Sequence, residues 1–194
     1  MSFAGGDAGW VGGASDYPVA YQSAMSIVLD QRPSPGSLRA EPNSFYTYGV
    51  NNSDDLFLFI KRRIVGLEPA RAHTVRICVT VAASRLGSHM IGKAGGTSFE
   101  PAVVTAEIDG PYYWMNIDKG LQSQAGRDSR LLGRLRDPAD ERPGYVHTTL
   151  CTREAMTVRT DSAGALWIYS GAESTFETDT EAYWLQVDVQ LVPE

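Results

Sequence analysis

The chain has 194 residues, 43% apolar and 21% charged, with 19 glycines and 10 prolines; this is length enough for one globular domain spanning 1–194 with a substantial core. Its longest apolar run, residues 56–60, is strand-sized and far short of a membrane span. A formal charge of −6 argues against the basic face that a nucleic-acid binder needs.

Taken in chain order, strand-like periodicity occurs at 23–29, 45–50, 56–65, 74–83, 102–108, 112–117, 145–151, 155–160, 166–170 and 181–192. In the fourth of these, Val75, Ile77, Val79 and Val81 share one face, with Arg76 and Thr80 opposite. In the last, Tyr183, Leu185, Val187, Val189 and Leu191 alternate with Trp184, Gln186, Asp188 and Gln190. Strict two-residue alternation marks half-buried strands. Turn chemistry separates them, as in Asn51-Asn52-Ser53-Asp54-Asp55 and Asp109-Gly110-Pro111. Many short strands at this spacing predict a β-sandwich or barrel. Helix is scarce: only 118–136 has room for a turn or two, and its glycines oppose a long one. Two stretches, 84–101 and 118–144, read as long loops, and loops of that length are where a site is sought.

Cys78 and Cys151 each fall inside a strand signal. They read as buried free thiols, with a disulfide between paired strands as the alternative. Only three of the 17 basic residues are lysines, Lys61, Lys93 and Lys119, a skew that suits a GC-rich bacterial genome. Residues 1–8 lack a secretory leader's basic and apolar stretches. As it stands the sequence reads as cytoplasmic, or as exported if a leader has been removed.

The succession of Gly9-Trp10, Asn52-Ser53-Asp54-Asp55-Leu56-Phe57, Gly66-Leu67-Glu68-Pro69, Met115-Asn116-Ile117-Asp118-Lys119-Gly120 and Leu166-Trp167-Ile168 resembles a group of uncharacterised bacterial β-sandwich proteins. These in turn are similar to carbohydrate-binding-module (galactose-binding-like) jelly rolls. The resemblance implies an all-β jelly-roll sandwich of two antiparallel sheets and a small-molecule or glycan ligand, without a cofactor. Calcium-bearing jelly rolls often start their last strand with a carboxylate ligand. Here that place reads Tyr183-Trp184-Leu185-Gln186.

The densest polar constellation is Asn116, Asp118, Lys119, Gln122, Arg127 and Asp128, directly after the aromatic run Tyr112-Tyr113-Trp114. Tyr113 and Trp114 could stack on sugar C–H faces while the amides and acids pair with hydroxyls. The same residues could instead be core aromatics and loop-bracing polar groups. Residues 51–55 offer oxygen ligands for calcium but equally make a turn. Lys61-Arg62-Arg63 reads as a strand edge or solvent face. Glu173, Glu177, Asp179 and Glu181 read as a solvated acidic stretch, within which Glu177 is the one matched to the resembled group. His73, His89 and His147 lack metal-ligand spacing, so no metal site is expected. Neither a nucleophile-elbow serine motif nor a phosphate-cradling loop is present. A binding module is the leading expectation. A cofactor-free cyclase or isomerase for an apolar substrate is the alternative, with Asp118 or Glu177 as its acid in an enclosed pocket. A partner-binding domain forms the background.

Overall fold

The computed structural model describes residues 1, 3, 9–35, 43–174 and 176–194, so the leader reading of 1–8 falls largely outside it. Within these residues the chain runs through β1 (Val11–Ser15), β2 (Tyr17–Pro18), β3 (Val28–Pro33), β4 (Asn43–Val50), β5 (Phe57–Ile64), β6 (Ala72–Ala83) and β7 (Met90–Thr97). It continues through β8 (Val103–Glu107), β9 (Pro111–Met115), β10 (Ser129–Arg134), β11 (Val146–Cys151), β12 (Met156–Arg159), β13 (Leu166–Ser174) and β14 (Asp179–Pro193). Two short 3-10 turns are the only helical pieces among the described residues, and none is long and apolar enough to cross a membrane.

The pairings are antiparallel. A five-stranded sheet in the order β1-β5-β13-β7-β10 faces a six-stranded sheet in the order β11-β6-β14-β4-β3, with β12 added to β6. The result is the β-sandwich that the periodicity and the resemblance both pointed to. Its core lies between the sheets: Val75, Ile77, Val79 and Val81 from β6 meet Ile60 of β5 and Leu166 and Ile168 of β13. A third, three-stranded sheet, β2-β9-β8, is hydrogen-bonded to neither and packs on the five-stranded one, with Met115 of β9 clustered against Phe57, Phe59 and Tyr169.

The structure departs from the sequence reading in several places, each with a physical cause. The register of β14 against β6 shifts between Trp184 and Gln186. A bulge turns a strand over, so Ala182 and Trp184 join Val187 in the core while Tyr183 packs outside it on Tyr46. The stretches read as long loops contain β7 and β10, and 118–136 forms loop and strand instead of helix. Strand β7 is buried along its whole length, which erases alternation. Of Lys61-Arg62-Arg63, only Lys61 lies between strands, opposite Val11 of β1 and Tyr169 of β13; Arg62 and Arg63 run past the end of β1 and pair with β13 alone, and Arg63 is exposed, as an edge or solvent face requires. Cys78 and Cys151 are directly opposite in the β6–β11 pairing and form a disulfide; Cys151 is exposed, so these are not buried thiols. Asn51 is buried and holds its turn, its Oδ1 accepting from the amides of Ser53 and Leu56.

Candidate functional site

The three-stranded sheet sorts the aromatic run by parity. Tyr113 is paired with Tyr17, their rings 5.1 Å apart, and the Tyr113 hydroxyl donates to Gln22 Oε1 (3.0 Å). That face turns toward a small core of Tyr17, Met25, Leu56 and Leu58. Tyr112 and Trp114 take the opposite parity, their rings 6.1 Å apart, with Pro18 opposite Tyr112 and Val104 opposite Trp114. Both are half-buried. Burial, with Asp55 and Asp16 adding their charge, pushes the Tyr112 hydroxyl up to about 12.

Two depressions open to solvent meet at Trp114 and Leu121. One, of about 420 Å³, is lined by Val104, Asn116, Asp118 and Lys119 among others. The other, of about 430 Å³, is lined by Pro18, Asp55, Ile108, Asp109 and Tyr112. Leu121 (59% exposed) and Ile108 (42%) leave apolar surface beside the indole. Together they form a groove with an aromatic floor and an acidic rim.

One wall of the groove is the loop after β9, which is tied to itself. Asp118 Oδ1 accepts from the amide of Gly120 (3.2 Å) and Oδ2 from that of Arg127 (3.0 Å). The Arg127 amide, more than any other group, holds the Asp118 carboxyl below its ordinary value. Asp128 Oδ2 accepts from the Asp118 amide, and the Arg127 guanidinium pairs with Asp128 at 3.1 Å. Asn116 braces the neighbouring segment, accepting from the Ala102 amide and donating to the Glu100 carbonyl. Gly126 lies so close that a β-carbon there would meet Asp118 Oδ1 at 2.2 Å. Gln122 and Arg127 are exposed and line neither depression. Glu177 is exposed in the turn between β13 and β14 and lines neither as well.

Beneath the groove lies a cluster of four buried charges on the outer face of the five-stranded sheet. Lys119 Nζ is 2.7 Å from Asp16 Oδ2 and 3.1 Å from Glu173 Oε2. Lys93 Nζ is 2.6 Å from Glu173 Oε1. Both ammonium groups donate to the Gly120 carbonyl. The Lys119 charge lies 4.9 Å from the Phe57 ring and 5.7 Å from that of Trp114. Burial lowers the Lys93 ammonium. For Lys119 burial is again the largest influence, yet Asp16 and Glu173 together outweigh it and raise its value. Glu173 is therefore not part of a solvated acidic stretch; it is buried beneath the groove at 1% exposure.

Sequence reasoning placed Trp114, Asn116, Asp118 and Lys119 in one neighbourhood, and the structure gathers these four along one depression. It missed Tyr112 as the companion of Trp114, although strand parity within 112–117 carried that signal. It also missed Asp16, Lys93 and Glu173, which come from three distant segments. Only the isolated lysines of an arginine-rich chain hinted at them. No group of three or more His, Cys, Asp or Glu side chains placed to hold a metal occurs among the described residues.

No protein-family model and no curated protein matches this sequence. Among solved structures the chain is similar to TmCBM61, determined in complex with β-1,4-galactotriose, at 7% identity and a TM-score of 0.45 over 97% of this chain and 93% of that one. It is also similar to the K1 cleaved adhesin domain of Lys-gingipain from Porphyromonas gingivalis W83, at 9% identity and a TM-score of 0.46, covering 98% and 95%. A third, tailspike protein 4 of bacteriophage CBA120, gives 9% identity and a TM-score of 0.43 over 95% of this chain but only 20% of the tailspike domain.

Proposed function

We propose that this chain is a saccharide-binding module whose binding face is the groove over Trp114. The observation that carries this reading is the placement of Tyr112 and Trp114 on one half-exposed face of the three-stranded sheet, in a groove bounded by Asp55, Asp109 and Asp118. Sugar rings offer apolar C–H faces that stack on an indole, and hydroxyls that seek acceptors. An aromatic floor with a carboxylate rim answers both. Asn116 and Asp118 already spend their side-chain bonds on backbone groups, so they shape the wall. The hydroxyl partners on the rim are then Asp55 and Asp109. An intramolecular cyclase would need an enclosed apolar pocket; this groove is open and gives that reading no support.

A glycan array probed with the full chain, followed by calorimetric titration of the strongest hit, tests the assignment. Trp114→Ala is expected to weaken binding at least about tenfold, roughly 1.4 kcal/mol, and Tyr112→Ala to weaken it too. Tyr113→Phe is expected to leave it unchanged. Retention of no glycan, or undiminished binding by Trp114→Ala, would overturn the reading.

A further inference from the structure

The four buried charges carry an inference that is independent of what occupies the groove. We propose that Lys119 and Asp16 become joined by an amide between Nζ and Cγ, formed in the folded chain with Glu173 as the proton carrier.

The nucleophile, the carboxyl group and the base are already together. Lys119 Nζ lies 2.7 Å from Asp16 Oδ2, and Glu173 Oε2 lies 3.1 Å from the same nitrogen. Lys93, 2.6 Å from Glu173 Oε1, fixes the carboxylate that must carry the proton. Asp16, Lys93 and Glu173 are each at most 1% exposed and Lys119 is 3% exposed. Holding reactants in such a dry, fixed geometry replaces an encounter in water with a unimolecular step.

As an ion pair the arrangement is left incomplete. Asp16 Oδ1 has no hydrogen-bond partner, and Oδ2 meets only the Lys119 ammonium at 2.7 Å. A buried carboxylate with bare lone pairs is costly. Condensation removes both charges and expels one of those oxygens as water. The choice of cation points the same way. Buried ion pairs suit arginine, whose guanidinium is weakly hydrated and does not deprotonate, and 14 of the 17 basic residues here are arginines. Yet both cations in this cluster are lysines, the only basic side chain able to become an amine nucleophile.

The step balances without any co-reactant. Glu173 takes one proton from the Lys119 ammonium and passes it to the Asp16 carboxylate, and the free amine attacks the Cγ of the acid so formed. As the new C–N bond forms, the nitrogen gives a second proton to Glu173. Glu173 hands that proton to the departing hydroxyl, the Cγ–O bond breaks, one water leaves and Glu173 is again a carboxylate. Lys93 and Glu173 remain as a neutral pair. The depression lined by Lys119 and Gly120 gives the water a way out.

Intact mass spectrometry of the reduced full-length chain is the test. The folded protein is expected one water lighter than its sequence mass, and digestion should yield a peptide containing Asp16 joined to one containing Lys119. Lys119→Arg, which keeps the charge but supplies no amine, is expected at full sequence mass. Wild-type protein at full sequence mass overturns the proposal. A water loss mapped to Asp16 alone, as a cyclic imide, also overturns it, as does one joining Lys93 to Glu173. Should Lys119→Arg fail to fold, the wild-type mass and its mapped cross-link decide the matter alone.

Discussion

Asp16 occupies the left-handed backbone region, φ 66°, at the junction of β1 and β2, with its carboxyl group buried against Lys119. Burial is the largest influence on it and pushes the carboxyl from 3.8 up to about 6, with Lys119 pulling in the opposite direction. In the unfolded chain the same group ionises near its ordinary value. Between the two values the folded chain binds more protons than the unfolded one, so this group favours folding at low pH. That contribution is fully present below the unfolded value and is lost as the pH rises through about 6. Lys119→Arg isolates the effect, because Asp16 then stays a free acid beside a cation. Its melting temperature, relative to that of the double variant Lys119→Arg/Asp16→Asn, should fall steadily between about pH 4 and about pH 7. A difference that stays constant with pH would show Asp16 ionised throughout that range.

Strand β7 and the loop after β9 form the element that sets the groove's depth. The loop lies on β7 and β13, where Tyr169 donates its hydroxyl to the Asp128 carbonyl at 3.0 Å. A β-carbon at Gly95 would stand 2.0 Å from that same carbonyl oxygen and 2.7 Å from the Tyr169 ring. Glycine is therefore required for backbone and loop to approach. Gly95→Ala should push the loop off the sheet and cost about 1–3 kcal/mol of stability. Hydrogen exchange would show the loss of protection concentrated at 118–128. Uniform loosening across both sheets would contradict this account. The same element shows where sequence reading stops. Val75 to Val81 alternates because one face of β6 meets the core, whereas Met90-Ile91-Gly92-Lys93 is covered on both sides and shows no alternation. A glycine-rich buried strand therefore looks like a loop. Trp114 and Asp118 could be found because they lie near each other in sequence. Asp16 and Glu173 could not, since what joins them to Lys119 is the lateral order of β1, β5, β13 and β7, and periodicity does not encode strand order.

At the scale of the molecule, the two faces of the sandwich are secured by different means. On the five-stranded side the three-stranded sheet, the loop after β9 and the buried charges cover the outer face. On the six-stranded side the Cys78–Cys151 disulfide ties β11 to β6 across the outer face, outside the principal core. Removing it opens no cavity between the sheets, so its effect on stability comes from the freedom returned to the unfolded chain. A link between residues 73 apart in sequence should contribute about 2–4 kcal/mol. Disulfides of this kind persist in oxidising surroundings. Protein prepared under such conditions should show no free thiol, and the reduced chain or the Cys78→Ala/Cys151→Ala variant should unfold at correspondingly lower denaturant. Glycan binding should survive either change, because Trp114 and its groove belong to the opposite side of the sandwich and share no residue with the disulfide. Loss of binding on reduction at a temperature where the reduced chain remains folded would show the two faces to be coupled through the core. The groove would then be a property of the whole sandwich rather than of the three-stranded sheet and its loop.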